Sequence, residues 1–534
     1  MKRFSLFCAL TASLVNVSAQ QPKLVVQLVV DQLRSDILAR YENHFSEKGF
    51  NRLISHSVDY RNATHNHANT VTCVGHATIA TGAPPSFHGI ISNNWFDRAS
   101  KKTVYCVDDP KHPQLSQPKN KDEGRSPRWL TTTTLSDEWR LANKGQVYAV
   151  SYKDRSAITM AGHSGKAFWF DRDIAQVTSS TFYFQSLPNW VEKWNKAHPA
   201  KSYRWDMSHP VTYYYNHKAP RFANRFPNFN ANFPHETGNP KGKKYKKFLA
   251  MTPQADHLTN QFAMALLKEK KLGLNQNQTD YLSISFSGND AIGHQFGPNS
   301  IESEDNLYHL DKEIGDLLDA IDSQVGLDNT LIILTADHGV NDSSVDLISR
   351  HIKPDNRKEA VTVSRQIKRL LKSKWHLKKD AIQAIELPYV YFNHRLISEK
   401  HLDLDTIKKS IASSLNGISP IFRATPMPYQ KSIDDELDQL VNAMSVPTRS
   451  GDMYVVPFSN HSLSPYEDVR VMHGSPWQND RSVPLLVFNG RWRHQMIYRP
   501  VGTTDIAPTI SLLLAIKKPA SAIGQPLTEV LSQF

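Results

Sequence analysis

Three short aliphatic runs, each ending abruptly in Asp, His and Gly, constrain this chain more than any other feature. Leu24 to Val30 reads LVVQLVV and meets Asp31 at once. Tyr281 to Phe286 reads YLSISF and enters SGNDAIGHQFG, and Leu331 to Thr335 reads LIILT and enters ADHG. Near-continuous β-branched runs fit strands covered on both faces, as in parallel sheets. Between the second and third runs, Leu307, Leu310, Ile314, Leu317, Leu318 and Ile321 recur at spacings of three and four, the stripe of an amphipathic helix. Strand, helix, strand predicts an α/β fold: a doubly wound, mostly parallel sheet flanked by helices. Ligands of such sheets bind at the carboxyl ends of the strands, where all three polar clusters fall. Near the C-terminus, Val483 to Phe488 reads as a further strand, and Asp505 to Leu514 as a helix with Pro508 in its first turn.

At 534 residues the chain exceeds the roughly 250–300 at which single cores stop growing, so it needs insertions or a second domain. Two stretches interrupt the α/β pattern. Residues 165–250 are rich in aromatics, among them Trp169, Trp190, Trp194, Trp205 and Tyr213 to Tyr215. Residues 345–460 carry a helical pattern at Val361 to Leu371 and an extended segment at Leu387 to Phe392. Both are read as caps or lids over the active face of one domain spanning 20–534. An independent second domain is the alternative.

The first nineteen residues, with Lys2 and Arg3 before an apolar run and Val17-Ser18-Ala19 at its end, read as a secretory signal peptide. No later stretch approaches the roughly 18 apolar residues of a membrane span. The expected location is therefore the periplasm or the medium. Net charge is +12, but the cations are dispersed apart from Lys241 to Lys247, so no specific nucleic-acid partner is expected. Cys8 leaves with the signal. Cys73 and Cys106 remain, and whether they pair is open without geometry. Two cysteines cannot build a cysteine-rich zinc site, so any metal must be held by Asp, Glu and His.

Asp31, Asp290, His294, Asp337, His338 and the distant His473 of HGSP form such a set. Singly, each has an ordinary explanation: a cap, a loop hydrogen bond, a turn. Together at strand ends, six oxygen and imidazole donors suit two borderline divalent cations, with zinc the natural choice. Two such ions about 4 Å apart can clamp the attacking and leaving oxygens of a phosphoryl displacement. Thr72, in NTVTCVGHATIATG, sits just ahead of a short helical run closed by Gly82. By itself it is as good a helix cap as a nucleophile.

Asp31 after LVVQLVV, then TCVGHATIATG, GNDAIGHQFG, TADHG and HGSP, resemble the ordered metal and nucleophile motifs of the alkaline phosphatase superfamily. The similarity is greatest to its phosphate-irrepressible, PafA-type bacterial phosphomonoesterases and runs through nearly the whole mature chain. The resemblance implies two zinc ions. Asp290, His294 and His473 would hold one. Asp31, Asp337 and His338 would hold the other, which Thr72 also touches as the nucleophile. It further implies a phospho-threonine intermediate and small phosphate monoesters as substrates.

Asn93, in HGIISNNW, and Lys153 and Arg155, in SYKDRSA, are the expected contacts to the phosphoryl oxygens. An arginine fork and a lysine point charge suit a doubly charged phosphate, and the two are read as sharing one side of an extended run. This set resembles the monoesterase branch. A nucleotide phosphodiesterase or pyrophosphatase on the same scaffold is the alternative, and a secreted anion- or nucleic-acid-binding protein is a more distant one. A sulfatase is disfavoured because Cys73-Val74-Gly75-His76-Ala77 lacks the proline and arginine of the formylglycine motif, and no G-x-S-x-G elbow is present. His65, His67, His76, His88 and His163 fall outside the ligand pattern and are expected to be structural or to support the ligands.

Overall fold

The computed structural model describes residues 21–534, apart from 117–122, 172–173, 219–228, 230–231, 353–358, 429–434, 462 and 464–470. The signal peptide expected over residues 1–19 lies outside the described residues.

Nine strands form the main sheet: β1 (Leu24–Val30), β2 (Ser57–Tyr60), β3 (Val147–Ser151), β4 (Lys166–Asp171), β5 (Gln176–Thr178), β6 (Asp280–Phe286), β7 (Thr330–Thr335), β8 (Leu486–Phe488) and β9 (Gln495–Ile497). Their order in space is β5-β4-β3-β6-β1-β7-β8-β2-β9. The central run β4-β3-β6-β1-β7 is parallel throughout. Antiparallel pairs occur where β5 joins β4 and on both sides of β8. The expected strand over Val483 to Phe488 is divided. Ser482–Val483 pairs with Ala63–Thr64 in a small separate sheet, and only Leu486–Phe488 joins the main one. Pro484 falls between the two pieces and has no N–H to donate to a ladder.

Strand β1 is buried along its whole length and feeds two cores. Val25 and Val29 face one side. Leu24, Val26, Leu28 and Val30 face the other, where they join Ile314, Leu317, Leu318 and Ile321 of the long helix Ile301–Gln324. A central strand with both faces covered carries apolar residues on both, which is why its sequence does not alternate, the buried Gln27 being the one polar residue of the run.

The stretch expected as an insertion at 165–250 contributes β4 and β5 to the main sheet before it departs. Among its described aromatics, Trp169, Trp194, Trp205 and Tyr214 are buried, whereas Tyr213 and Tyr215 are exposed. Trp190 stacks on Phe262 with ring centroids 5.2 Å apart, and Trp205 packs against Phe296 and His235. The 345–460 stretch contains an antiparallel sheet in the order Ile382–Glu386, Tyr389–Phe392, Met453–Pro457, Ile421–Pro426. That sheet has its own core, which includes Val363, Ile367 and Leu371 of the helix Glu359–Trp375. Arg98 ties it to the hairpin Asn94–Tyr105 through Asp452 at 2.8 Å and Gln383 at 3.1 Å.

Candidate metal centre

The carboxyl ends of four adjacent strands supply the polar residues. Lys153 follows β3, Asp31 follows β1, and Asp337 and His338 follow β7. After β6 the chain turns into helix Gly288–Phe296, which carries Asp290 and His294 one turn apart on the same face. The distant His473 arrives on a loop. The six Asp and His side chains divide into the two groups that the resemblance implied: Asp290, His294 and His473, and Asp31, Asp337 and His338. Within each group the ligating atoms lie within 4.8 Å of one another.

Three features test whether these groups fit metal ions. First, the imidazoles are oriented for it. His294, His338 and His473 each use Nδ1 on a backbone carbonyl, those of Val471 (2.7 Å), Gly339 (2.9 Å) and Thr70 (2.7 Å). A carbonyl only accepts, so Nδ1 carries the proton, and in the neutral ring the Nε2 lone pair is left for a ligand. Second, each Nε2 points at carboxylate oxygen: His294 at Asp290 (3.1 Å), His473 at Asp290 (3.5 Å), and His338 at Asp31 and Asp337 (3.5 Å each). Third, among the described residues Asp31 Oδ1, Asp337 Oδ2 and His338 Nε2 are buried without a hydrogen bond. Buried acceptors that face one another require a cation between them. The residues fit.

Part of that requirement is met by Lys153, whose Nζ lies 2.6 Å from both Asp31 Oδ2 and Asp290 Oδ2 and so joins the two groups. Burial pushes the Asp31 carboxyl up, reinforced by the charge of Asp337. Burial acts the same way on Asp290, but His294 and Lys153 outweigh it and hold that carboxyl well below the usual range. Three carboxylates against one ammonium leave negative charge to be neutralised.

Thr72 opens helix Thr72–Thr81 as its first residue. Val71 is the N-cap and makes no side-chain cap bond, so the capping role open to Thr72 is not the one it plays. The helix is buried on every side. Gly75 lets it approach strand end β7 closely: a Cβ there would lie 1.9 Å from the Asp337 carbonyl oxygen. His76 ties the two together. Its Nδ1 lies 2.9 Å from the Thr72 carbonyl and 3.2 Å from Asp337 Oδ2, and its Nε2 is 2.9 Å from Ser285 Oγ.

Arg155 Nη2 donates to Thr72 Oγ1 at 3.2 Å. Among the described residues its Nε is buried without a partner, an N–H that an anion would satisfy. Lys153 and Arg155 do not share an extended run. Lys153 is extended, but it caps helix Asp154–Ala161, and Arg155 lies in the first turn. Their intervening Asp154 accepts the Arg155 backbone N–H at 2.8 Å. It also accepts from Tyr105 Oη (2.6 Å) and Arg125 Nε (2.7 Å). Tyr105 in turn accepts from Arg155 Nη1 at 3.4 Å. Asn93 Oδ1 accepts from the Cys73 N–H at 2.9 Å, which fixes the amide so that Nδ2 is its free donor. Cys73 and Cys106 form a disulfide, linking the residue after Thr72 to the residue after Tyr105.

Sequence reading missed Gln32, Tyr105, Arg125 and Asp154. Gln32 adjoins the Asp31 motif and Asp154 lies within SYKDRSA; Tyr105 and Arg125 carry no local signal. Of the remaining motif histidines, His65 is buried against the Ala336 carbonyl and Thr503 and His88 against Thr78 and the Ile90 N–H, His67 is buried as well, and His163 is exposed beside Asp137 at 3.0 Å.

The sequence model of the type I phosphodiesterase / nucleotide pyrophosphatase family matches residues 25–476. The chain is 33% identical over 531 residues to the alkaline phosphatase PafA of Elizabethkingia meningoseptica, covering 96% of this chain and 95% of that one. It is 32% identical over 524 residues to the alkaline phosphatase PhoV of Synechococcus elongatus, covering 96% and 93%. The crystal structure of wild-type PafA aligns with a TM-score of 0.86 at 31% identity, over 95% of this chain and 99% of that one.

Proposed function

The chain belongs to the type I phosphodiesterase / nucleotide pyrophosphatase family, within the alkaline phosphatase superfamily, and on that footing we propose that it is a secreted or periplasmic, zinc-dependent alkaline phosphatase that hydrolyses phosphate monoesters through Thr72. Phosphatase is the activity named for both full-length relatives. The observation that carries the finer reading is the pair of Asp/His groups joined by Lys153, with Thr72 held under Arg155 beside them.

Asp290, His294 and His473 would hold one zinc, and Asp31, Asp337, His338 and Thr72 the other. Bound there, the ions would supply Lewis-acid charge that lowers the pKa of a hydroxyl they touch and stabilises the departing oxygen. The Thr72 oxygen attacks phosphorus in line, forming a Thr–O–P bond as the bond to the leaving alcohol breaks. The leading N–H groups of its ten-residue helix favour negative charge at this end. Arg155, Lys153 and the Asn93 Nδ2 group hold the nonbridging oxygens, acting by position and charge. Water then attacks the phospho-threonine, releasing phosphate and restoring the hydroxyl.

The family's own description favours a second reading, a nucleotide phosphodiesterase. The paired cations Lys153 and Arg155 support the monoesterase, because a dianion gains more from them than a diester does. Metal analysis of the purified protein, together with kcat/KM for nitrophenyl phosphate and its methyl diester, tests both. Absence of divalent metal with chelator-resistant activity would sink the zinc reading, and preference for the diester would favour the alternative.

A further inference from the structure

We infer that Gln32, which none of the motif reasoning singles out, is a positioning residue that couples the two carboxylate–histidine groups. This inference rests on the reading that those groups hold two metal ions. Gln32 directly follows Asp31, so it starts from within one group. Its backbone N–H donates to Asp337 Oδ1 at 3.1 Å, in that same group. Its side-chain Nε2 donates to Asp290 Oδ1 at 2.8 Å, in the other. One residue therefore restrains a carboxylate of each site, through two chemically separate donors.

The backbone explains how. Gln32 has φ of 68°, the left-handed region that glycine adopts freely and a side-chain-bearing residue adopts at a cost. That turn brings the N–H toward Asp337 while the side chain reaches Asp290. Space for the amide comes from the opposite helix, where a Cβ at Gly293 would lie 2.0 Å from Gln32 Oε1. The orientation of the amide is fixed by chemistry, because an ionised carboxylate only accepts, so the NH2 end must face Asp290. Gln32 itself is 1% exposed. A strained residue kept at a site where glycine would be easier points to a job for its side chain.

The two donors can be separated by Gln32→Gly. That variant keeps the N–H to Asp337, removes the amide to Asp290 and relieves the left-handed strain. Metal-free full-length protein is titrated with cobalt(II), monitored by visible absorption against a competing chelator, for wild type, Gln32→Gly, His294→Ala and the double variant. Wild type takes up two ions. In Gln32→Gly one step keeps its midpoint and the other weakens by roughly 10- to 100-fold, the usual effect of losing a bond to a ligand. In the His294→Ala background, which disables the Asp290 site, adding Gln32→Gly leaves the remaining affinity unchanged. Unchanged midpoints in both steps overturn the inference, as does equal weakening of both, which would mark a general structural role. Uptake of two ions by a wild-type protein without monoesterase activity would overturn the functional reading and leave this one standing.

Discussion

Arg155 reaches Thr72 from a different helix, its Nη2 3.2 Å from the hydroxyl oxygen. Of the cationic groups at the site, this one touches the proposed nucleophile itself. If Thr72 is the nucleophile as proposed, Thr72→Ala should lower turnover by roughly 10⁴-fold or more, while the content of divalent metal stays as in wild type. Arg155→Ala should cost roughly 10²–10³-fold on a phosphomonoester and less on a diester. Equal losses on the two substrates would remove the dianion argument.

Lys153 joins Asp31 to Asp290 by two contacts of 2.6 Å, and it is buried with them. Removing one member of a buried ionic set leaves the others uncompensated, at a cost of about 3–5 kcal/mol. Lys153→Met should therefore destabilise the chelated protein by about that much, and far less where a bound divalent cation, as proposed, neutralises the carboxylates. Denaturant unfolding with and without chelator measures the difference. A destabilisation independent of metal would mean that the lysine acts through packing alone.

The Cys73–Cys106 bridge closes 33 residues of chain. Loop-closure entropy assigns such a link roughly 3–4 kcal/mol. The double variant Cys73→Ala, Cys106→Ala should lose about 2–4 kcal/mol, and its kcat should fall as well, because the bridge holds the residue after Thr72 beside the strand end that carries Tyr105. Stability loss with kcat intact would confine the disulfide to a structural role.

Glu529 clips the C-terminal segment to the sheet, accepting from Arg499 Nε and Nη2 at 2.6 Å each and from Tyr60 Oη at 3.1 Å. Bonds from Arg499 hold its carboxyl down at about 2, against an ordinary value of 4.5. The folded value lies below the unfolded one, so the stabilisation is fully present above about pH 4.5 and is lost as pH falls toward 2. The gap in melting temperature between wild type and Glu529→Gln should be constant above pH 5 and shrink below 4.5. A gap that widens in acid would contradict the sign.

The central strands and the six Asp and His positions were legible because the signal was local. A parallel strand buried on both faces is rich in aliphatic residues, and a polar cluster at its carboxyl end falls where α/β sheets bind ligands. The support around them was not legible. Tyr105 finds Asp154 across 49 residues and Gln32 finds Asp290 across 258, and nothing in either residue's neighbours records such a partner. The same applies to Val483–Phe488, where one proline divided a plausible strand between two sheets. The extended run assigned to Lys153 and Arg155 became a helix start, yet both still reach the site, because a cap residue and the first turn beyond it lie close together.

Helix Thr72–Thr81 has no outward face, and that limits how this protein can change. Every position in it abuts a neighbour, down to the glycine seated on the Asp337 carbonyl. Variation there will be accepted only as matched pairs, one residue in the helix and one in whatever it touches. Change should instead accumulate in the four-stranded unit pinned by Arg98, which has its own core and is not tied to Thr72 as Tyr105 and Cys106 are. A laboratory search for altered specificity would do best to randomise that unit and leave the helix untouched.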